Sequence, residues 1–120
     1  MQRVLSVGYP VAPFKQRNAV LSAAGLTVRE AVGAVQALGM IKDELFDVVV
    51  LGSALSGDDR DLISKTMRQR RRLAKIIMLY DGRITGTEMA DAIIADDDPQ
   101  RVIDTIRLLT ENGGDHSECA

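Results

Sequence analysis

Short apolar runs alternate with stretches of helical period along the chain. Arg3–Val7 (RVLSV) predicts a strand. "APFKQRNAVLSAAG" follows as a helix, with Pro13 suited to its first turn and Gly25 to its end. Leu26–Ala31 (LTVREA) predicts a second strand, and "GAVQALGMIKDELF" a second helix on which Val35, Leu38, Ile41 and Leu45 recur at helical spacing. Asp47–Leu51 (DVVVL) is the strongest strand signal, apolar at successive positions, so both its faces should be covered. Gly57 and Asp58–Asp59 suit a turn and an N-cap for a third helix, Arg60 to Arg70, with Leu62, Ile63 and Met67 inward.

Ala74–Tyr80 predicts a fourth strand and Ala92–Ala95 a fifth; between them "DGRITGTEMAD" (residues 81–91) is too weakly patterned for a full helix. "DPQRVIDTIRLLTENGG" predicts a closing helix. Asp98 caps it, Pro99 takes the first turn and Asn112–Gly113 stop it, while Val102, Ile103, Ile106 and Leu109 form the buried stripe. The expected organisation is one domain over residues 1–112 and a flexible tail over 113–120.

Strands separated by helices define an α/β chain with a parallel sheet covered on both faces. Right-handed crossovers favour the order 2-1-3-4-5 for five such strands, a flavodoxin-like arrangement. Function in these sheets gathers at the carboxyl ends of the strands. The positions that matter are then Gly8, Tyr9 and Pro10 after the first strand, Gly52 and Ser53 after the third, Tyr80 and Asp81 after the fourth, and Ala95 and Asp96 after the fifth.

Composition narrows the choice. With 120 residues, 46% hydrophobic and 27% charged, the chain suits a single globular domain. No apolar run reaches the length of a membrane span, and the start "MQRVLSVGYPVAPF" does not read as a signal peptide. Cys119 is the single cysteine, which excludes an internal disulfide and fits a reducing cytoplasm. A net charge of -2 and 3% aromatic residues, with no Trp, argue against nucleic acid as a partner. There is no G-x-G-x-x-G, P-loop or G-x-S-x-G motif, and the lone histidine, His116, lies near the end. No enzymatic activity and no cofactor are expected.

The ordered landmarks resemble the receiver domain of bacterial response regulators. "VLSV" is similar to that family's first strand, "LSAAGLTVREA" to the end of its first helix and its second strand, and "QALGMIKDELFDVVVL" to its second helix and third strand. "SGDD" resembles the turn before its third helix, "KIIMLY" its fourth strand, and "DPQRVIDTIRLL" its last helix. The likeness breaks around residues 81–91, which are too few for the family's usual fourth helix. It implies a phosphoacceptor aspartate after the third strand, an acidic pair holding Mg²⁺ after the first, a hydroxyl residue after the fourth and a lysine after the fifth. Those roles fall here on Gly52, on Gly8 and Tyr9, on Tyr80, and on Ala95 or Asp96. The family's aromatic switch falls on Ala92 or Ile93.

None of these positions offers the implied chemistry. Glycine carries no carboxylate, and Asp96 would repel a phosphoryl group rather than bind it. The resemblance therefore points to a receiver-like signalling module that lacks the phosphoacceptor and acts by protein–protein contact, with a homodimer through strand five and the last helix. One alternative is a small-ligand binder at the strand carboxyl ends, with Tyr9, Ser53, Tyr80 and Asp96 as candidate contacts. The other is a phosphoreceiver with unusual site residues. The segment Arg60–Lys75 is rich in basic residues and reads as a solvated helix face. Asp96, Asp97 and Asp98 read as favourable charges before a helix, and His116 with Cys119 as too weak a pair to hold a metal.

Overall fold

A computed structural model describes residues 2–80, 86–95 and 98–119, with 111–119 as helical backbone. Its element order is β1 (Arg3–Gly8), α1 (Ala12–Ala23), β2 (Thr27–Val32), α2 (Gly33–Asp43), β3 (Val48–Leu51), α3 (Gly57–Arg70), β4 (Lys75–Tyr80), β5 (Ala92–Ala95) and α4 (Pro99–Cys119). The five strands are parallel in the order β2-β1-β3-β4-β5, as the pattern of apolar runs predicts. Residues 86–91 carry no helix, and Asp81, Asp96 and Asp97 lie outside the described residues.

Two apolar clusters sandwich the sheet. On one face Leu5, Val7, Val49, Leu51, Ile76 and Met78 meet Ala37 and Ile41 of α2 and Ile63 and Met67 of α3. On the other, Val4, Val48, Val50, Ile77, Leu79 and Ile94 meet Leu21 of α1 and Val102, Ile103 and Ile106 of α4. Every residue of β3 is buried, which explains its unbroken apolar run: successive side chains enter opposite cores. Burial of each such side chain contributes about 1.5–3 kcal/mol.

Four sequence expectations are corrected. On α2 the buried residues are Ala37 and Ile41, while Val35 is 87% exposed and Leu45 lies past the helix end. Val35 is two residues from Ala37, roughly 200° around the helix, so it faces solvent when Ala37 faces the sheet. On α3 the inward positions are Arg60, Ile63, Ser64 and Met67, and Leu62 is 49% exposed. The cap of α3 is Ser56, whose hydroxyl accepts the Asp59 N–H at 3.1 Å; Asp58 and Asp59 sit in the first turn, where the helix dipole favours them. Finally, α4 passes through Asn112–Gly113 to Cys119. Glycine lowers helix propensity by about 1 kcal/mol but keeps its N–H, so without a proline nothing forbids the helix there.

Asp47 organises the amino-terminal edge of the sheet. Its N–H donates to the Arg3 carbonyl (2.8 Å) and its carbonyl accepts the Lys75 N–H (2.9 Å). Its carboxylate accepts the Arg3 N–H (2.8 Å) and pairs with Arg71 (2.7 Å).

Candidate functional site

The carboxyl ends of β1 and β3 lie side by side, and the Gly52 N–H donates to the Val7 carbonyl at 2.9 Å. Strand alternation turns Ser6, Gly8, Val50 and Gly52 toward α1 and α4. Facing them, α1 buries Phe14, Arg17, Asn18 and Leu21, one helical stripe with two polar members. Arg17 is 1% exposed and Phe14 4%.

Arg17 Nη2 donates to Ser6 Oγ at 2.9 Å, and the guanidinium carbon lies 5.2 Å from the centre of the Phe14 ring, a cation–π distance. A Cβ on Gly8 would stand 2.6 Å from Phe14 Cδ1, closer than such atoms come. A Cβ on Gly52 would stand 3.0 Å from the Val7 carbonyl oxygen and 3.9 Å from Arg17 Nη2. The two glycines are thus matched to their surroundings: Phe14 fills the space above Gly8, and Arg17 reaches the side of Gly52.

The remaining expected positions are spread along this edge. Tyr9 is exposed, with its ring edge 4.0 Å from the Cβ position of Gly33 at the start of α2. Ser53 is half-buried and its carbonyl accepts a hydrogen bond from Arg60 Nη2 at 2.9 Å. Arg60 itself is buried, a correction to the solvated reading of the Arg60–Lys75 segment: it is drawn inward to tie the loop after β3. Tyr80, half-buried, ends β4 opposite the exposed Ala95 of β5. Ala92 is half-buried and Ile93 is 46% exposed. Asp96 lies outside the described residues, as do the side chains of His116 and Cys119.

Surface cavities formed by described residues lie away from these positions. One, of about 680 Å³, is lined by Ser56, Asp58, Asp61, Lys65, Glu88 and Met89 among others. Another, of about 450 Å³, lies between α1 and β2 beside Lys15, Asn18 and Glu30. Neither is lined by Tyr9, Ser53 or Tyr80.

Sequence reasoning missed Phe14, Arg17 and Ser6. The available signal was the spacing Phe14-Arg17-Asn18-Leu21, which places an arginine in the middle of an inward stripe, and Ser6 as the lone hydroxyl among apolar neighbours in β1.

No protein-family model matches the chain, and no curated protein sequence matches it. Solved structures do. A CheY-like response regulator receiver domain protein of Methanospirillum hungatei JF-1 aligns at a TM-score of 0.78 and 20% identity, covering 96% of this chain and 98% of that one. A two-component response regulator of Clostridium difficile aligns at 0.79 and 14%, covering 92% and 97%. The Thermotoga maritima response regulator TrrA, in complex with Mg²⁺ and BeF, aligns at 0.75 and 19%, covering 91% and 99%. TrrA is also solved with the histidine kinase ThkA. The chain has the fold of response regulator receiver domains.

A divalent cation of the kind the resemblance implies does not fit the described residues of this edge. Mg²⁺ is held by carboxylate oxygens and waters. Gly8, Tyr9 and Gly52 supply no carboxylate, and a guanidinium, a fixed positive charge, reaches the side of Gly52. Among the described residues no group of His, Cys, Asp or Glu is arranged to hold a metal. No helix of the described residues is long and apolar enough to cross a membrane.

Proposed function

We propose that this chain is a receiver-fold signalling module of two-component type that works by protein–protein contact, with neither a phosphoryl group nor a divalent cation at its carboxyl edge, and that it is not an enzyme. One observation carries the reading. Phe14 and Arg17 of α1 fill the space beside Gly8 and Gly52, so the edge is closed by an aromatic ring and a cation where the resemblance implies carboxylates and Mg²⁺. A carboxylate that attacks phosphorus is missing from Gly52, and a buried arginine repels the metal that would neutralise the transferring group.

The partner face we infer is β5 with α4. No helix from residues 86–91 covers β5, and Ile93 and Leu108 of α4 stand exposed. A second copy meeting this face would bury them symmetrically. The kinase bound to TrrA supports a protein as the general class of partner.

Incubation with acetyl phosphate and Mg²⁺, followed by intact mass, tests the first part: an unmodified mass is expected, and a stoichiometric phosphate adduct overturns the reading. Sedimentation equilibrium tests the second: the wild type should dimerise and Ile93→Asp should shift it toward monomer. A wild type that stays monomeric at high concentration removes the β5–α4 face from the account.

A further inference from the structure

The pole opposite the carboxyl edge carries a charge pattern that its own ion pairs do not exhaust. Glu44 pairs with Arg3 (2.6 Å) and Arg29 (3.2 Å), Asp47 with Arg71 (2.7 Å), and Asp91 with Arg68 (2.6 Å). These carboxylates are therefore taken, and among the described residues Asp43 has no ion pair. Lys42, Arg72 and Lys75 form none among the described residues. Arg70 is turned onto the Ile41 carbonyl by a single hydrogen bond of 3.3 Å. The described residues of this pole thus keep a positive excess in a chain of net charge -2.

The helix dipole accounts for part of this. Cations in the last turn of α3, Arg68 and Arg70, are stabilised by its carbonyl end. Arg72 and Lys75 lie beyond that helix, and the dipole says nothing of the apolar side chains beside them. Leu73 is 76% exposed and Leu45 47%. The segments that carry them are tied together: Arg71 pairs with Asp47, and the Lys75 N–H donates to the Asp47 carbonyl at 2.9 Å. Leu73 stands between Arg72 and Lys75 in the chain and Leu45 three residues after Lys42, so each exposed leucine has a cation without an ion pair among the described residues close by in sequence, the mixture of apolar anchor and charge that binding surfaces use.

We propose that this pole is a docking surface for an acidic protein segment bearing leucine-like side chains. Charge complementarity selects carboxylates, and Leu45 and Leu73 select an apolar partner over a purely ionic one. Nucleic acid is the poorer fit. Its bases would want aromatic stacking partners, and Phe46, the aromatic residue of this pole, is buried beneath Arg3.

The test is fluorescence anisotropy of the whole chain with three labelled probes: a helical peptide of glutamate and leucine, the same peptide with serine for leucine, and single-stranded RNA of similar length. The leucine peptide should bind at least about tenfold tighter than either other probe. Arg72→Glu with Lys75→Glu should weaken it about tenfold, and so should Leu73→Ser. These positions are solvent-facing or half-buried, and circular dichroism checks that each variant is folded; Leu45→Ser replaces Leu73→Ser if the latter is not. Equal binding of the leucine and serine peptides, tighter binding of RNA, or full affinity in the charge-reversed variant each overturns the proposal.

Discussion

The ring of Phe14 occupies the place a side chain on Gly8 would need: Cδ1 is 2.6 Å from the Cβ position. Both residues are buried, so the conflict has no outlet into solvent. Gly8→Ala should therefore destabilise the domain by about 1–3 kcal/mol, the usual cost of overpacking. Urea denaturation checks this, and Phe14→Leu in the same chain should recover part of the loss, because the two changes share one contact.

Gly52→Asp would set a carboxylate beside Arg17, with its Cβ 3.9 Å from Nη2. The guanidinium should capture it as an ion pair. The expected result is that this variant, although it regains the residue type that the resemblance implies, still shows no adduct by intact mass after acetyl phosphate and Mg²⁺. An adduct would mean that Arg17 does not govern the chemistry of this edge.

Arg17 is buried, lies over the Phe14 ring and donates to Ser6 Oγ. Arg17→Ala removes both, leaving a cavity and an unanswered hydroxyl, and should cost about 3 kcal/mol in chemical denaturation. Arg17→Lys should not restore full stability, since an ammonium lacks the planar group that stacks on Phe14 and reaches Ser6 together.

Lys65 on α3 has its pKa raised, first by the side-chain hydrogen bond it donates to Asp61 and then by that carboxylate's charge. A raised value means the folded state holds the proton more tightly. The contribution to stability is full below the ordinary lysine pKa and is lost as pH rises through the raised one. Asp61→Asn should return the Lys65 midpoint toward the ordinary value, read by NMR titration of its side chain. With the ammonium exposed, thermal stability at neutral pH should hardly change.

The sheet was legible because parallel strands buried on both faces read as unbroken apolar runs, and Val48–Leu51 and Ile76–Leu79 are such runs. Helix faces were harder to read. Val35 and Leu62 are apolar at helical spacing yet point outward, while Arg17 and Arg60 are charged and buried. Composition alone cannot tell an arginine that snorkels from one held in the interior, since the difference lies in what the neighbouring strands present. The site was legible only as an absence at Gly8 and Gly52. What stands there instead comes from α1, nine residues after Gly8 in the case of Arg17, and no local motif ties the two.

Asp47 binds the beginnings of three strands through one residue. In a parallel sheet, slipping one strand by a single residue would turn its buried side chains to the wrong face. By fixing where β1, β3 and β4 start, this aspartate also fixes where they finish, so Gly8 and Gly52 come level at the far rim and Tyr80 stands one residue beyond them. Precision at one end of the molecule is thus set by a peg at the other.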